Sequence, residues 1–180
     1  MKAISKSLKK NDPNHLNLGI RYGYIEQLDD ELLRISKESF DALSFNCYAL
    51  SPDHEKMNHA LEISGLPMII GEYHFGTVDR GLAQSLWQVN SQKERGDAFR
   101  YYTENAFAHR GLIGTGWFRW IDQNINGRTD GENYNCGFID VTDRPYPYMV
   151  DAAIETAKSL YEIHSGTKTP FHQAPNAVGH

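Results

Sequence analysis

Apolar positions in the 180-residue chain gather into four short runs: LNLGI (16–20), ALSFNCYAL (42–50), PMIIGEY (67–73) and LIGTGWFRWI (112–121). Each is too short for an ordinary helix. Each is also apolar almost throughout rather than alternating, as strands are when both faces of a parallel sheet are covered. Between the runs the period lengthens to that of a helix. The segment 28–40 carries Leu28, Leu32, Leu33 and Ile35 at helical spacing, 53–64 carries Met57, Ala60, Leu61 and Ser64, and 90–109 carries Ala98, Tyr101, Tyr102, Asn105 and Ala106. Pro147 opens a last helical pattern over 147–164. At the other end KAISKSLKK reads as the last turns of a helix, running into the turn NDPN, so the chain begins as if in the middle of a longer fold.

Strand starts at 16, 42 and 67, with a helix in each gap, follow a βα rhythm, and four such units fill the chain. The expected fold class is α/β: the C-terminal half of a TIM (β/α)8 barrel, since a whole barrel needs roughly 200–250 residues. Its parallel strands are expected near 16–21, 42–48, 67–73 and 112–121, in one domain over 1–165. The polar segment 166–180, with two prolines, is expected to be a disordered end or a linker.

Charge narrows the partners. With 18 Lys and Arg against 23 Asp and Glu, a net charge of -5 and no basic block, the chain carries no electrostatic footprint for nucleic acid or an anionic membrane. A neutral substrate fits better. Cys47 and Cys136 lie far apart with no metal-type spacing and read as packing residues. The eight histidines form no HExxH pattern, and no Gly-rich phosphate loop or Gly-x-Ser-x-Gly elbow is present, so no cofactor is expected. No run has the length of a membrane span, and the first residues lack a signal-peptide core.

In a parallel α/β fold the C-terminal strand ends build the site. Polar and aromatic residues collect there: Arg21 and Tyr22, then Asn46 and Tyr48, then Glu72, Tyr73 and His74, then Trp117, Trp120 and Asp122. Taken alone, Glu72 reads either as a strand-end carboxylate in an ion pair or as a catalytic group. A carboxylate among Tyr, His, Asn and Trp suits sugar chemistry, because aromatic faces stack on C–H-rich rings and an acid handles the anomeric centre. His74 fits either substrate orientation or a structural bond. Trp117 and Trp120, three apart, point to opposite faces of a strand. The loop DQNINGRTDGEN (122–133) matches part of a calcium-loop pattern but has Asn133 where the bidentate Glu belongs, with Glu132 one place early. It reads instead as an Asx-turn loop, and no metal is expected.

In order along the chain, SFNCYA, IIGEYHFG, GTGWFRWIDQ and GRTDGENYNCGFIDVTDRPYP resemble the C-terminal half of a clan A (β/α)8 glycoside hydrolase. Within the clan the resemblance is nearest to the β-agarases of glycoside hydrolase family 50, with β-galactosidases more distant. It implies retaining hydrolysis of β-galactosidic bonds in a neutral galactan. Glu72 maps onto the nucleophile, Tyr48 onto the residue that holds it, and Trp117 or Trp120 onto the floor of the sugar site. Asn46, His74, Asp122, Glu132 and Asn133 become candidate substrate contacts. One element of the pattern is missing: the clan's general acid/base follows an asparagine, and no Asn-Glu dipeptide occurs. The expectation is therefore a fragment, inactive or nearly so alone, whose partner is a missing N-terminal half barrel or a second copy. The compartment is left open by this chain, with secretion or the periplasm one option for the parent enzyme. The competing expectations are a non-catalytic carbohydrate-binding half barrel and an interaction fragment that needs its missing half.

Overall fold

The computed structural model describes residues 1–179, and the chain divides into two compact units. The first comprises Met1–Cys47, Asp53–Glu72 and Gly111–Gly116; the second comprises Tyr48–Pro52, Tyr73–Arg110 and Trp117–His180.

In the first unit α1 (Lys2–Asn11) leads to β1 (Arg21–Tyr22), α2 (Asp30–Lys37), β2 (Leu43–Asn46), α3 (His54–Ser64) and β3 (Met68–Tyr73). Both middle helices start on aspartate caps. Asp29 accepts from Leu32 N at 2.8 Å, and Asp53 accepts from Glu55 N at 3.0 Å and Lys56 N at 3.2 Å. Gly65 closes α3 with φ 66°, a left-handed conformation that glycine adopts without a Cβ penalty. A two-residue β4 (Trp87–Gln88) and α4 (Gln92–Phe107) come before β5 (Leu112–Trp117), whose residues through Gly116 complete this unit's sheet. The sheet runs β1-β2-β3-β5, with β1, β2 and β3 mutually parallel. Its core is Leu33, Leu43, Phe45, Met57, Met68, Ile70 and Leu112, each fully buried.

The first expected strand is much shorter than the apolar pattern suggests. Leu16, Leu18 and Ile20 are 73%, 46% and 46% exposed, and only Arg21 and Tyr22 pair with β2. Asp41 explains this: its carboxylate accepts from Asn17 N at 2.7 Å and its own N–H bonds Asn17 O at 2.8 Å, tying the segment into an irregular course. Gly19, at φ 74°, then lies so close to the Phe40 ring that a Cβ would stand 2.5 Å from it. The fourth strand also ends early, at Trp117, and the Phe118–Arg119 peptide after it is cis.

The second unit is built on α4 packed against α5 (Pro147–His164). Gly96 permits the approach, because a Cβ there would stand 2.5 Å from Tyr148 O. Aromatic rings fill the interior: Tyr73 stacks on Tyr102 at 4.0 Å, and Trp117 meets Tyr73 and Phe99 edge-on at 5.2 and 5.6 Å. The C-terminal segment, expected to be a free end or linker, is instead bonded to this unit. Glu104, 1% exposed, accepts from Phe171 N at 2.8 Å, Arg100 lies over the Phe171 ring, and β6 (Val178–Gly179) pairs antiparallel with β4. No helix among the described residues is long and apolar enough to cross a membrane.

Candidate active site

Glu72 stands next to last in β3, where the register slips. Leu43, Ser44 and Phe45 face Met68, Ile69 and Ile70 in step, but Asn46 faces Glu72, leaving Gly71 as an extra residue. A bulge re-aims the side chain after it. Here it brings Asn46 and Glu72 opposite each other, with Asn46 Nδ2 donating to Glu72 Oε2 at 3.1 Å. The other oxygen, Oε1, pairs with Arg21 Nη2 at 2.8 Å. The Glu72 side chain is 18% exposed, so the carboxylate sits at the strand end with a donor on each oxygen and an open edge to solvent. Asn46 Oδ1 is buried with no partner.

The other predicted residues belong to the second unit and divide into structural and exposed groups. His74 is 2% exposed, its Nδ1 donates to Phe118 O at 3.0 Å and its Nε2 accepts from Leu86 N at 3.1 Å. Those two bonds fix a neutral ring. Burial pushes its pKa down to about 4, with the Arg95 charge also lowering it and the bond to Phe118 opposing. His74 thus clamps two loops and has no ring nitrogen left for a sugar. Tyr48 meets it edge-on at 4.9 Å.

Trp117 donates from Nε1 to Cys136 O at 2.7 Å within the aromatic cluster. Trp120 is 68% exposed and stacks on Phe138 at 5.9 Å, so it is the tryptophan with a free face. Asp122, expected to bond substrate, is 4% exposed and fully engaged. It accepts from Gly137 N at 2.6 Å, Asn135 Nδ2 at 2.8 Å and Tyr146 Oη at 2.5 Å, which makes it a loop-holding residue. Burial first and then the Asp122 carboxylate raise the Tyr146 pKa. Beneath the Tyr146 ring, at 4.4 Å, lies Arg95, itself fully buried and bonded to Asn135 O and Gly137 O.

Glu132 accepts from Gln123 Nε2 at 2.8 Å and pairs with Arg128 at 3.3 Å, while Asn133 Nδ2 reaches Ile125 O at 3.4 Å. Arg128 also pairs with Asp130, so a guanidinium sits among the carboxylates that the calcium-loop pattern would have offered to a metal. Among the described residues no group of three or more His, Cys, Asp or Glu is arranged to hold a metal ion.

Sequence reasoning named Arg21 among the strand-end residues but gave it no partner, and it passed over Gly71, Arg95 and Asn135. The sole signal for Gly71 was its place before Glu72 in an otherwise β-forming run. Arg95 looked like any polar helix residue.

The chain as a whole has relatives among known enzymes. No protein-family model matches the chain. It is 36% identical to β-agarase A of Vibrio sp. strain JT0107 over 183 aligned residues, covering 98% of this chain and 18% of that enzyme. Its structure matches that of an agarase, AgWH50C, with a TM-score of 0.84 at 37% identity, covering 89% of this chain and 25% of the other. It matches an exo-β-agarase with a TM-score of 0.83 at 34% identity, covering 92% and 22%. The class these matches define is an α/β glycoside hydrolase domain. Within that class the relatives are family 50 β-agarases, 34–37% identical over most of this chain, as its motifs led us to expect. It spans about a fifth to a quarter of the length of these relatives.

Proposed function

We propose that the chain is the nucleophile-bearing part of a retaining, β-agarase-type glycoside hydrolase, with the strands of a C-terminal half (β/α)8 barrel, acting on β-galactosidic bonds of a neutral galactan. The observation that carries this reading is the Glu72 carboxylate, held by Arg21 on Oε1 and Asn46 on Oε2 at the end of β3. In the first step a Glu72 oxygen bonds to the anomeric carbon while the glycosidic oxygen leaves with a proton from a general acid. Water then opens the glycosyl ester, giving its proton to the same group as base. Tyr48 is assigned its role in supporting the nucleophile by resemblance, and Trp120, with its exposed face, is favoured over Trp117 as a sugar platform. Glu132 and Asn133 are proposed substrate contacts.

Retention needs a second carboxyl group roughly 5–5.5 Å from the first. With no Asn-Glu dipeptide in the chain, the acid is proposed to come from a companion half barrel or from a second copy. The test is reducing-sugar release from agaro-oligosaccharides by the chain, alone and mixed with a segment that carries an Asn-Glu strand end. Little or no turnover is expected alone, and turnover is expected with the companion, falling by about a thousandfold or more in Glu72→Gln. Turnover that survives Glu72→Gln would contradict the reading.

A further inference from the structure

Glu72 takes one of its carboxylate contacts from a residue on a strand that is not its neighbour. In the order β1-β2-β3 the outer two strands are about 10 Å apart, twice the inter-strand spacing. Arg21, on β1, nevertheless reaches Glu72, on β3, at 2.8 Å. Its path depends on Gly71. A Cβ at Gly71 would lie 3.0 Å from Arg21 Cγ and closer still to Cδ, so the arginine stem occupies the space that any other residue's side chain would fill. The same Cβ would stand 3.3 Å from Asn46 Oδ1. Gly71 is also the bulge residue that brings Asn46 opposite Glu72. One residue without a side chain therefore serves both the Arg21 and the Asn46 contact with the carboxylate.

We infer that Arg21 is a positioning residue for Glu72, and that Gly71 is the gap through which it acts. The inference rests on the nucleophile reading above. An arginine suits the task because its fork gives a directed N–H to one carboxylate oxygen at the end of a long stem. With Oε1 held by Arg21 and Oε2 by Asn46, rotation of the carboxylate is fixed, which is what a nucleophile that must meet a carbon within a few tenths of an ångström requires. The Arg21 side chain is 53% exposed. A pair this open adds little to stability, so its consequence is expected in reaction rate and not in folding.

Treating the Arg21→Lys chain with a water-soluble carbodiimide tests the contact without recourse to turnover. The introduced amine and the Glu72 carboxylate condense to an amide, and the water lost converts the carbodiimide to its urea. Native lysine–carboxylate pairs such as Lys56–Glu26 and Lys93–Asp97 couple in every variant. The expected product in tandem mass spectrometry is therefore the one added cross-linked peptide pair, joining position 21 to Glu72 and absent from the unaltered chain, with its yield falling several-fold when Gly71→Ala is added. The role in reaction is read from trapping by an activated fluoro-galactoside, in which a Glu72 oxygen bonds the anomeric carbon as dinitrophenolate leaves without needing a proton. Arg21→Met and Gly71→Ala should be trapped about ten- to a hundredfold more slowly than the unaltered chain, and Arg21→Lys should recover much of that rate. Gly71→Ala keeps both charged groups, so it guards against a folding defect in Arg21→Met. Absence of the cross-link, or trapping of Arg21→Met at the unaltered rate, would overturn the inference. A cross-link without trapping of the unaltered chain would instead overturn the hydrolase reading, and with it the positioning role.

Discussion

At the scale of single residues, Glu72 and His74 are two positions apart and have opposite fates. Glu72 ends at solvent with its oxygens held, while His74 is sealed between Phe118 O and Leu86 N. The sequence placed both at the strand end without separating them, because burial of a side chain depends on loops that fold back from far along the chain. The sealed histidine has a pH signature. Unfolded, it takes up a proton near pH 6.5, and folded only near 4, so the unfolded state binds more protons in between. Stability should be full above about pH 6.5 and should fall as the pH drops toward 4, by at most about 3 kcal/mol from this group. In His74→Gln that slope should flatten, with about 1–3 kcal/mol lost at neutral pH because two hydrogen bonds go. Urea unfolding of both proteins at several pH values checks this, and an unchanged slope would rule His74 out as its source. Asp122 teaches a similar lesson, since its neighbours Asn135, Gly137 and Tyr146 lie 13 to 24 residues away and no local pattern announces them.

At the scale of elements, the helices and the third strand were legible, and the limits of the first and last strands were not. Helical periodicity is a local property, and α2, α3, α4 and α5 fall inside the segments 28–40, 53–64, 90–109 and 147–164. Strand length depends on pairing, and LNLGI lost its strand to the bonds of Asp41 and Asn17. Close approach of elements leaves its trace in glycines. Gly96 lies mid-helix, where its propensity is poor, and its benefit is contact with the carbonyl of Tyr148 on α5. Gly96→Ala should improve propensity yet destabilise the protein by about 1–3 kcal/mol, because the added methyl must push α5 away. A rise in melting temperature would contradict this packing. The Asp53 cap makes a smaller claim: Asp53→Ala should cost about 1 kcal/mol by thermal melting, as loss of an N-cap ordinarily does.

For the whole molecule, composition and charge pointed to a neutral ligand, and the motifs pointed to the family. What they missed was the course of the last residues, where polar composition suggested freedom. Phe171 instead supplies an N–H to buried Glu104 and accepts from Asn105 Nδ2 at 3.0 Å. Ending the chain at residue 169 should lower stability by about 1–2 kcal/mol, since a buried carboxylate loses a donor. Comparing melts of the 169- and 180-residue chains tests this, and identical melts would contradict it. The central claim, that Glu72 is a glycosidase nucleophile, is met most directly by incubating the chain with the activated fluoro-galactoside and sequencing the product by tandem mass spectrometry. The account predicts one sugar ester, located on Glu72 and absent from Glu72→Gln. A sugar on any other residue, or none at all, would contradict it.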